Sequence, residues 1–307
     1  AFVLKEDDVL IDVVDFVPRP AFFGKRTSKG TPMEAVADVR AQKLILTAFQ
    51  RCRLWEGGNQ CAFCAFFTGG HSLGEVDCQD ICETVEEALK EPGRFSEIYL
   101  SGGTDFSGEP PFSNEIDRYI RIFSAISRGF SRRFSSQLMA PAYKKEDLKR
   151  IYRETLIDSY CPNIEVWDKG LFQTLCPGKA KWIGHDEWIK RTVEAVEVFG
   201  TGKVFTQVVA GAELASPSGF SSIEEALESN FEACEFYAKN GVIFLSTIWR
   251  PHRAAKLGFQ PMPPLDYYIR LAKGLHEIRR QYGLITTNDN YKHCGNHPDS
   301  DLERLDV

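Results

Sequence analysis

Residues 43–64 run KLILTAFQRCRLWEGGNQCAFC. The first eight are apolar and β-branched enough for a strand. The remainder, with Gly57-Gly58-Asn59 and three cysteines, breaks that pattern and reads as a loop. The stretch therefore predicts a strand that delivers a long cysteine-bearing loop at its C-terminal end. Working outward, five further runs read as strands: 97–100, 133–139, 157–166, 203–210 and 242–248. Amphipathic stretches at helical spacing fall at 84–91, 114–127, 144–154, 186–198, 222–238 and 265–281. Thr84 and Ser222 stand where an N-cap is expected. Strict alternation of strand and helix predicts an α/β fold with a parallel sheet and outer crossover helices, as a partial barrel or an open sheet. No Gly-x-Gly-x-x-Gly follows the first strand, which removes support for a dinucleotide fold. The long segments 51–82 and after 248 lie beyond strand C-termini, where barrels keep their chemistry.

The chain has 307 residues, 43% hydrophobic and 26% charged, and no linker divides it. The expectation is one domain over 1–307, with extensions at about 1–42 and 283–307. Its 37 Lys and Arg against 43 Asp and Glu give a net charge of −6, the wrong sign for a nucleic-acid binder. The basic stretch Arg128–Arg133 then reads as a solvated face. No apolar run is long enough to span a membrane, and the acidic N-terminal stretch does not read as a signal peptide. These features predict a cytoplasmic protein with neither nucleic acid nor membrane as partner.

Nine cysteines stand at 52, 61, 64, 78, 82, 161, 176, 234 and 294. An odd count without a secretory signal argues against a disulfide framework. Three thiolates at Cys52, Cys61 and Cys64 can hold three irons of a cubane cluster and leave the fourth iron open to a ligand. Zinc is the alternative, with Cys78-x3-Cys82 as a second ligand pair. Cys161 lies two residues before Asn163, so strand alternation points both to one side of the sheet. Cys176 precedes Pro-Gly in a loop, and Cys234, on the apolar stripe of a helix, reads as packing. Cys294 lies in a polar tail.

Taken together, these residues resemble the radical S-adenosylmethionine (SAM) superfamily, in its biotin synthase and lipoyl synthase-like branch. The cysteine loop after strand one, with the aromatic Phe63 before its last Cys, is the first match. Ser101-Gly102-Gly103-Thr104 after the second strand resembles the Gly-Gly-Glu segment that receives the methionine amino group. Asn163-Ile164-Glu165 resembles the Asn-Leu-Asp/Glu element, and its polar side chains suit ribose hydroxyls. Leu171–Lys179 (LFQTLCPGK) resembles a lipoyl-synthase segment, and Val208–Glu213 the adenine-side Gly-x-x-Glu element. These matches run in order along about 220 residues of the chain.

The resemblance implies a partial (β/α)6 TIM-like barrel, a [4Fe-4S] cluster and SAM. Its cofactor-binding set is Phe63, Ser101, Gly102, Gly103, Thr104, Asn163, Glu165, Gln207 and Glu213. Cys161 and Arg250 are the catalytic candidates, and Arg250 and Arg253 offer forks for a carboxylate. The sequence departs from the family at position 57, where Gly replaces the first Cys of Cys-x3-Cys-x2-Cys. Cys52 gives Cys-x8-Cys-x2-Cys instead, and Cys78 or Cys82 is the other candidate third ligand. Cys78, Cys82 and Cys294 are candidates for a second iron–sulfur cluster. The favoured reaction is sulfur insertion of the lipoyl-synthase kind, as one half of a two-protein system with a partner radical SAM subunit. The alternative within the class is a mutase or ring-forming enzyme resembling methylornithine synthase. A zinc-binding barrel hydrolase or binding protein is the rival from another class. The implied partners are a small-molecule or acyl-carrier-bound substrate and an electron donor such as ferredoxin or flavodoxin. Biotin synthase itself is disfavoured, because Gln137 and Phe205 fall near two positions of its second-cluster cysteines.

Overall fold

In the computed structural model, which describes residues 1–40, 42–65, 74–286 and 297–304, the chain opens with an antiparallel hairpin, β1 (Phe2–Glu6) and β2 (Val9–Val14). A short helix, α1 (Met33–Val36), leads to the edge strand β3 (Ala37–Arg40). Six parallel strands follow: β4 (Lys43–Phe49), β5 (Glu97–Gly102), β6 (Ser136–Met139), β7 (Ser159–Cys161), β8 (Val204–Ala210) and β9 (Val242–Ile248). Together with antiparallel β3 they form a seven-stranded sheet in sequential order, curled into a half-barrel. All six strands expected from the sequence are present.

The connecting helices are α2 (Arg53–Glu56), α3 (Cys78–Ala88), α4 (Ser113–Ser127), α5 (Lys145–Glu154), α6 (Lys169–Leu175), α7 (Pro177–Trp182), α8 (His185–Glu194), α9 (Val196–Phe199), α10 (Ile223–Lys239) and α11 (Leu265–Gln281). Ser222 caps α10 as expected, its hydroxyl accepting from the Glu225 N–H at 3.2 Å. Helix α3 starts earlier than its apolar pattern suggests. Asp77 caps it by accepting from the Gln79 and Asp80 N–H groups, and Thr84 lies mid-helix with its hydroxyl on Asp80 O.

Strand alternation sorts the side chains. Leu44, Leu46, Leu100, Leu138, Tyr160, Val208 and Phe244 face outward, into the main core against Ile81, Ile116, Phe123, Leu148, Trp188, Tyr237 and Leu271 of the helices. Each such side chain fully removed from water stabilises the fold by roughly 1.5–3 kcal/mol. Cys161, Phe205, Ile243 and Leu245 face the lumen and form a separate small cluster with Leu284. Strand β7 is shorter than the expected 157–166 because Pro162 has no N–H to give the ladder. The Thr206 hydroxyl takes over there, donating to Pro162 O and accepting from Ile164 N, both at 3.0 Å. Pairing resumes at a bridge between Glu165 and Val208.

The outer edge of β9 is covered by the C-terminal segment, including α12 (Pro298–Asp301). Asp299 Oδ1 accepts from the Ser246 N–H at 3.2 Å, and Arg279 of α11, fully buried, reaches Phe244 O, Asp299 and Glu303. Among the described residues, no helix is long and apolar enough to cross a membrane. The Arg128–Arg133 stretch is not uniformly a solvated face: Arg133 lies over the Tyr152 ring and donates to Tyr152 O, Thr155 O and Ile157 O.

Candidate functional site

Four connections meet above the C-terminal ends of the strands. After β4, Cys52 stands just before the single turn of α2, and the chain returns through Gly57-Gly58 to Cys61 and Cys64. The Ser101–Thr104 segment crosses this loop closely: Arg53 N donates to Thr104 O at 2.8 Å, and Gly103 N donates to Phe49 O at 2.9 Å. A Cβ on Gly103 would stand 1.8 Å from Arg51 O and 2.7 Å from Cys52 Cα, so only glycine permits the crossing. The third connection is Leu175–Gly178, where Ala62 N donates to Leu175 O and Gly178 N to Asn59 O. The fourth follows β9: Leu257 N donates to Ala62 O at 3.0 Å, and Lys256 Nζ to Gly58 O at 2.8 Å.

The thiols differ by environment. Cys61 is held below the usual thiol range by a hydrogen bond from Cys176 and by Lys179, which together outweigh its burial. Burial pushes Cys176 well up. Burial also raises Cys52, although the Leu54 and Thr104 N–H groups point at its sulfur and oppose the effect. Cys64 closes a tight turn through its N–H to Cys61 O at 3.0 Å. Among the described residues, no three Cys, His, Asp or Glu side chains converge on one point as a ready metal site. The donor set nevertheless suits an iron–sulfur cluster: it consists of thiols, one with its pKa lowered and another receiving peptide N–H groups.

Asn163 and Glu165 reach the mouth from the end of β7. Glu165 holds φ at 70°, an unusual conformation for a non-glycine residue, and its carboxylate pairs with Lys179 Nζ at 2.7 Å. Lys179 also donates to Asn163 O at 2.7 Å and lies over the Trp188 ring. Below them a polar chain crosses the lumen. The Cys161 thiol donates to Asn163 Oδ1 at 3.0 Å, the Asn163 amide and the Tyr99 hydroxyl both meet Met139 Sδ, and Thr247 donates to Gln207 Oε1 at 2.8 Å. Gln207 Nε2 lies 3.8 Å from Cys161 Sγ, which links the two halves. Cys161 and Asn163 thus share the lumen, as alternation predicts. Burial keeps Cys161 protonated, with its pKa well above the ordinary thiol value.

The other candidates are more dispersed. Phe63 is half-buried against the main core, and Arg250 is exposed just past β9. The Glu213 carboxylate already accepts from the Gly211 N–H, Asn230 and Tyr267, in a pocket of its own chain between α10 and α11. Cys78 and Cys82 stand on α3, outside the sheet, where Cys78 Sγ lies 3.9 Å from Arg121 O of α4. Cys294 lies outside the described residues. The sequence singled out Leu171–Lys179 as a segment but not Cys176 and Lys179 as individual neighbours of Cys61. A Cys and a Lys flanking Pro-Gly was the available signal; rather than a loop, Pro177–Lys179 form the first turn of α7, with Cys176 at the junction from α6. Tyr99, Met139 and Thr247 were legible only as lumen-facing positions.

No protein-family model matches the chain. A curated relative, the bacteriochlorophyllide c C-7(1)-hydroxylase of Chlorobaculum limnaeum, is 20% identical over 275 residues, covering 84% of this chain and 65% of the relative. Among solved structures, HydG, the [FeFe]-hydrogenase maturase of Carboxydothermus hydrogenoformans, superposes with a TM-score of 0.57 at 15% identity over 78% of this chain and 52% of HydG. A radical SAM methyltransferase from Sphaerobacter thermophilus gives 0.56 at 15% identity, covering 85% of this chain and 72% of that one. Methylornithine synthase gives 0.54 at 13% identity, over 78% and 69%. The partial barrel is shared with these enzymes. It is the barrel that the strand–helix alternation and the resemblance together predicted. The chain spans less than two thirds of the hydroxylase and about half of HydG.

Proposed function

We propose that this chain is a radical SAM enzyme whose cluster is held by Cys52, Cys61 and Cys64. The observation that carries the reading is the interlock of the cysteine loop with Ser101–Thr104 over the barrel mouth, fixed by the Arg53–Thr104 hydrogen bond and the close approach at Gly103. When bound, the [4Fe-4S] cluster supplies the electron that cleaves SAM to a 5′-deoxyadenosyl radical, which abstracts hydrogen from an unactivated carbon. The chain's own residues bind, orient and exclude water. Ser101–Thr104 presents backbone polar groups beside the thiols. Asn163 and Glu165 offer a donor and acceptors to sugar hydroxyls, with Lys179 fixing the Glu165 carboxylate. Cys161, held neutral, and Gln207 present a thiol and an amide to a substrate entering the lumen. An external one-electron donor of the ferredoxin or flavodoxin type completes the reading.

For the step after hydrogen abstraction, we favour a rearrangement over sulfur insertion. Sulfur insertion needs a second cluster to sacrifice, and two of its three candidate ligands, Cys78 and Cys82, lie on the outer helix α3 against α4. Anaerobic reconstitution with iron and sulfide, then dithionite and SAM, tests the proposal. About four irons per chain with 5′-deoxyadenosine released supports it. About eight irons would return sulfur insertion to first place, and zinc in place of iron with SAM intact would refute the radical reading.

A further inference from the structure

Cys176 is conspicuous because the proposed chemistry leaves it unused. Two backbone hydrogen bonds set the register between the cysteine loop and the start of α7: Ala62 N to Leu175 O at 2.8 Å and Gly178 N to Asn59 O at 3.0 Å. These two bonds bracket Cys61, between Asn59 and Ala62, and Cys176, between Leu175 and Gly178, so the two cysteines lie on neighbouring segments. Their thiols hydrogen-bond to one another. The approach is tight, since a Cβ on Gly178 would stand 2.6 Å from Asn59 O and 2.7 Å from Leu54 Cδ2. A disulfide joins residues whose Cα atoms stand about 4.4–6.8 Å apart, and two thiols in hydrogen-bond contact lie within reach of that geometry. Cys176 is fully buried, while Cys61 is partly open to solvent, so a reagent from outside meets Cys61 first.

We propose that Cys61 and Cys176 form a redox-active pair, closing to a disulfide when no cluster engages Cys61 and so withholding Cys61 from iron. The oxidant is a low-molecular-weight disulfide. The Cys61 thiolate attacks one of its sulfurs, forming a mixed disulfide and expelling one thiolate. Cys176 then loses its proton and attacks the Cys61 sulfur, forming the internal bond and expelling the second thiolate. Two protein thiols are oxidised and one disulfide is reduced to two thiols. The consequence for iron rests on the cluster reading above; the bridge itself does not.

The test uses the full-length chain stripped of metal anaerobically and treated with oxidised glutathione, followed by non-reducing peptide mass mapping. The expected result is a peptide pair joined through Cys61 and Cys176, with the loss of two hydrogens. In Cys176→Ser a glutathione adduct remains on Cys61, because the resolving thiol is gone. Cys176→Ala gives the same adduct, and circular dichroism of both variants reports whether they fold. The bridged wild type takes up no iron until a dithiol reopens it. A stable glutathione adduct on wild-type Cys61, or a bridge from Cys61 to Cys64, would overturn the proposal while leaving the cluster reading intact if iron still binds. A Cys61–Cys176 bridge in a chain that binds no iron even after reduction would keep the pair and sink the cluster.

Discussion

Glu115, fully buried in the first turn of α4, supplies a test of the scaffold under the cysteine loop. One carboxyl oxygen accepts from the Asp105 N–H at 2.5 Å and the other meets the Tyr143 hydroxyl. Burial raises its pKa from 4.5 to about 8, with the two hydrogen bonds and Arg118 only partly opposing that rise. Asp105 in turn binds Arg53 at 2.7 Å and Arg118 at 2.8 Å, so this carboxyl lies beneath the turn that follows Cys52. A group whose pKa is raised on folding holds its proton more tightly in the native state. Its stabilising contribution is full below pH 4.5 and is lost as pH rises through 8. Each pH unit between those limits removes about 1.4 kcal/mol, so stability should fall by about 3 kcal/mol between about pH 5.5 and 7.5 from this group alone. Glu115→Gln copies the protonated acid: its oxygen accepts from Asp105 and its amide donates to Tyr143, which turns its hydroxyl to accept. Urea denaturation of both proteins across that window, with unchanged m-values, should show a wild type that loses stability against the variant as pH rises. Parallel curves would mean that Glu115 is ionised in the folded protein and that the burial argument fails.

The remaining predictions are briefer. Cys52→Ala, Cys61→Ala and Cys64→Ala should each lower iron after reconstitution well below about four per chain, whereas Cys82→Ser on α3 should leave it unchanged; iron analysis decides. Gly103→Ala places a Cβ against Arg51 O and should cost about 1–3 kcal/mol in denaturation while abolishing 5′-deoxyadenosine release. Lys179→Met strands the Glu165 carboxylate, side chains only 12% and 15% exposed, and should destabilise by about 3–5 kcal/mol. The double variant with Glu165→Gln should recover much of that loss, and failure to recover would show that the pair is not coupled. Arg279→Met leaves Asp299 and Glu303 without their cation and should open the β9 edge, read as faster hydrogen exchange at Ser246.

The barrel was legible because its signal is local. Each parallel strand is a short apolar run with two buried faces, and each helix carries its own apolar stripe, so the six units can be read one at a time. The reading faltered where a neighbour far along the chain decides the outcome. Pro162 cuts β7 short, yet the chain regains register at Glu165, because the Thr206 hydroxyl bridges the gap by donating to Pro162 O and accepting from the Ile164 N–H. Asp77 displaces Thr84 as the cap of α3 because the apolar pattern marks only the buried part of that helix. Glu213 carries partners that its Gly-x-x-Glu context does not describe: Oε1 accepts from Asn230 and Tyr267 on α10 and α11, and Oε2 from the Gly211 N–H.

The unusual cysteine spacing shows the same division between local and distant causes. Eight residues between Cys52 and Cys61, where the Cys-x3-Cys-x2-Cys pattern that the sequence resembles has three, look too many for one site. Residues Arg53–Glu56 wind into a turn, and a helix rises only about 1.5 Å per residue, so α2 stores most of the excess length in about 6 Å. Gly58 takes a φ of 69°, and the Asn59 N–H donates to Leu54 O at 2.9 Å, which returns the chain toward its starting point. The loop then needs external anchors to place Cys61. It has them on two sides: Leu175–Gly178 through backbone hydrogen bonds, and Lys256–Leu257 after β9. Spacing along the sequence is therefore a weak guide to spacing between thiols here. The position of Cys61 is set by the α6–α7 junction and the segment after β9, both far along the chain, and the first of these contacts brings Cys176 to its side.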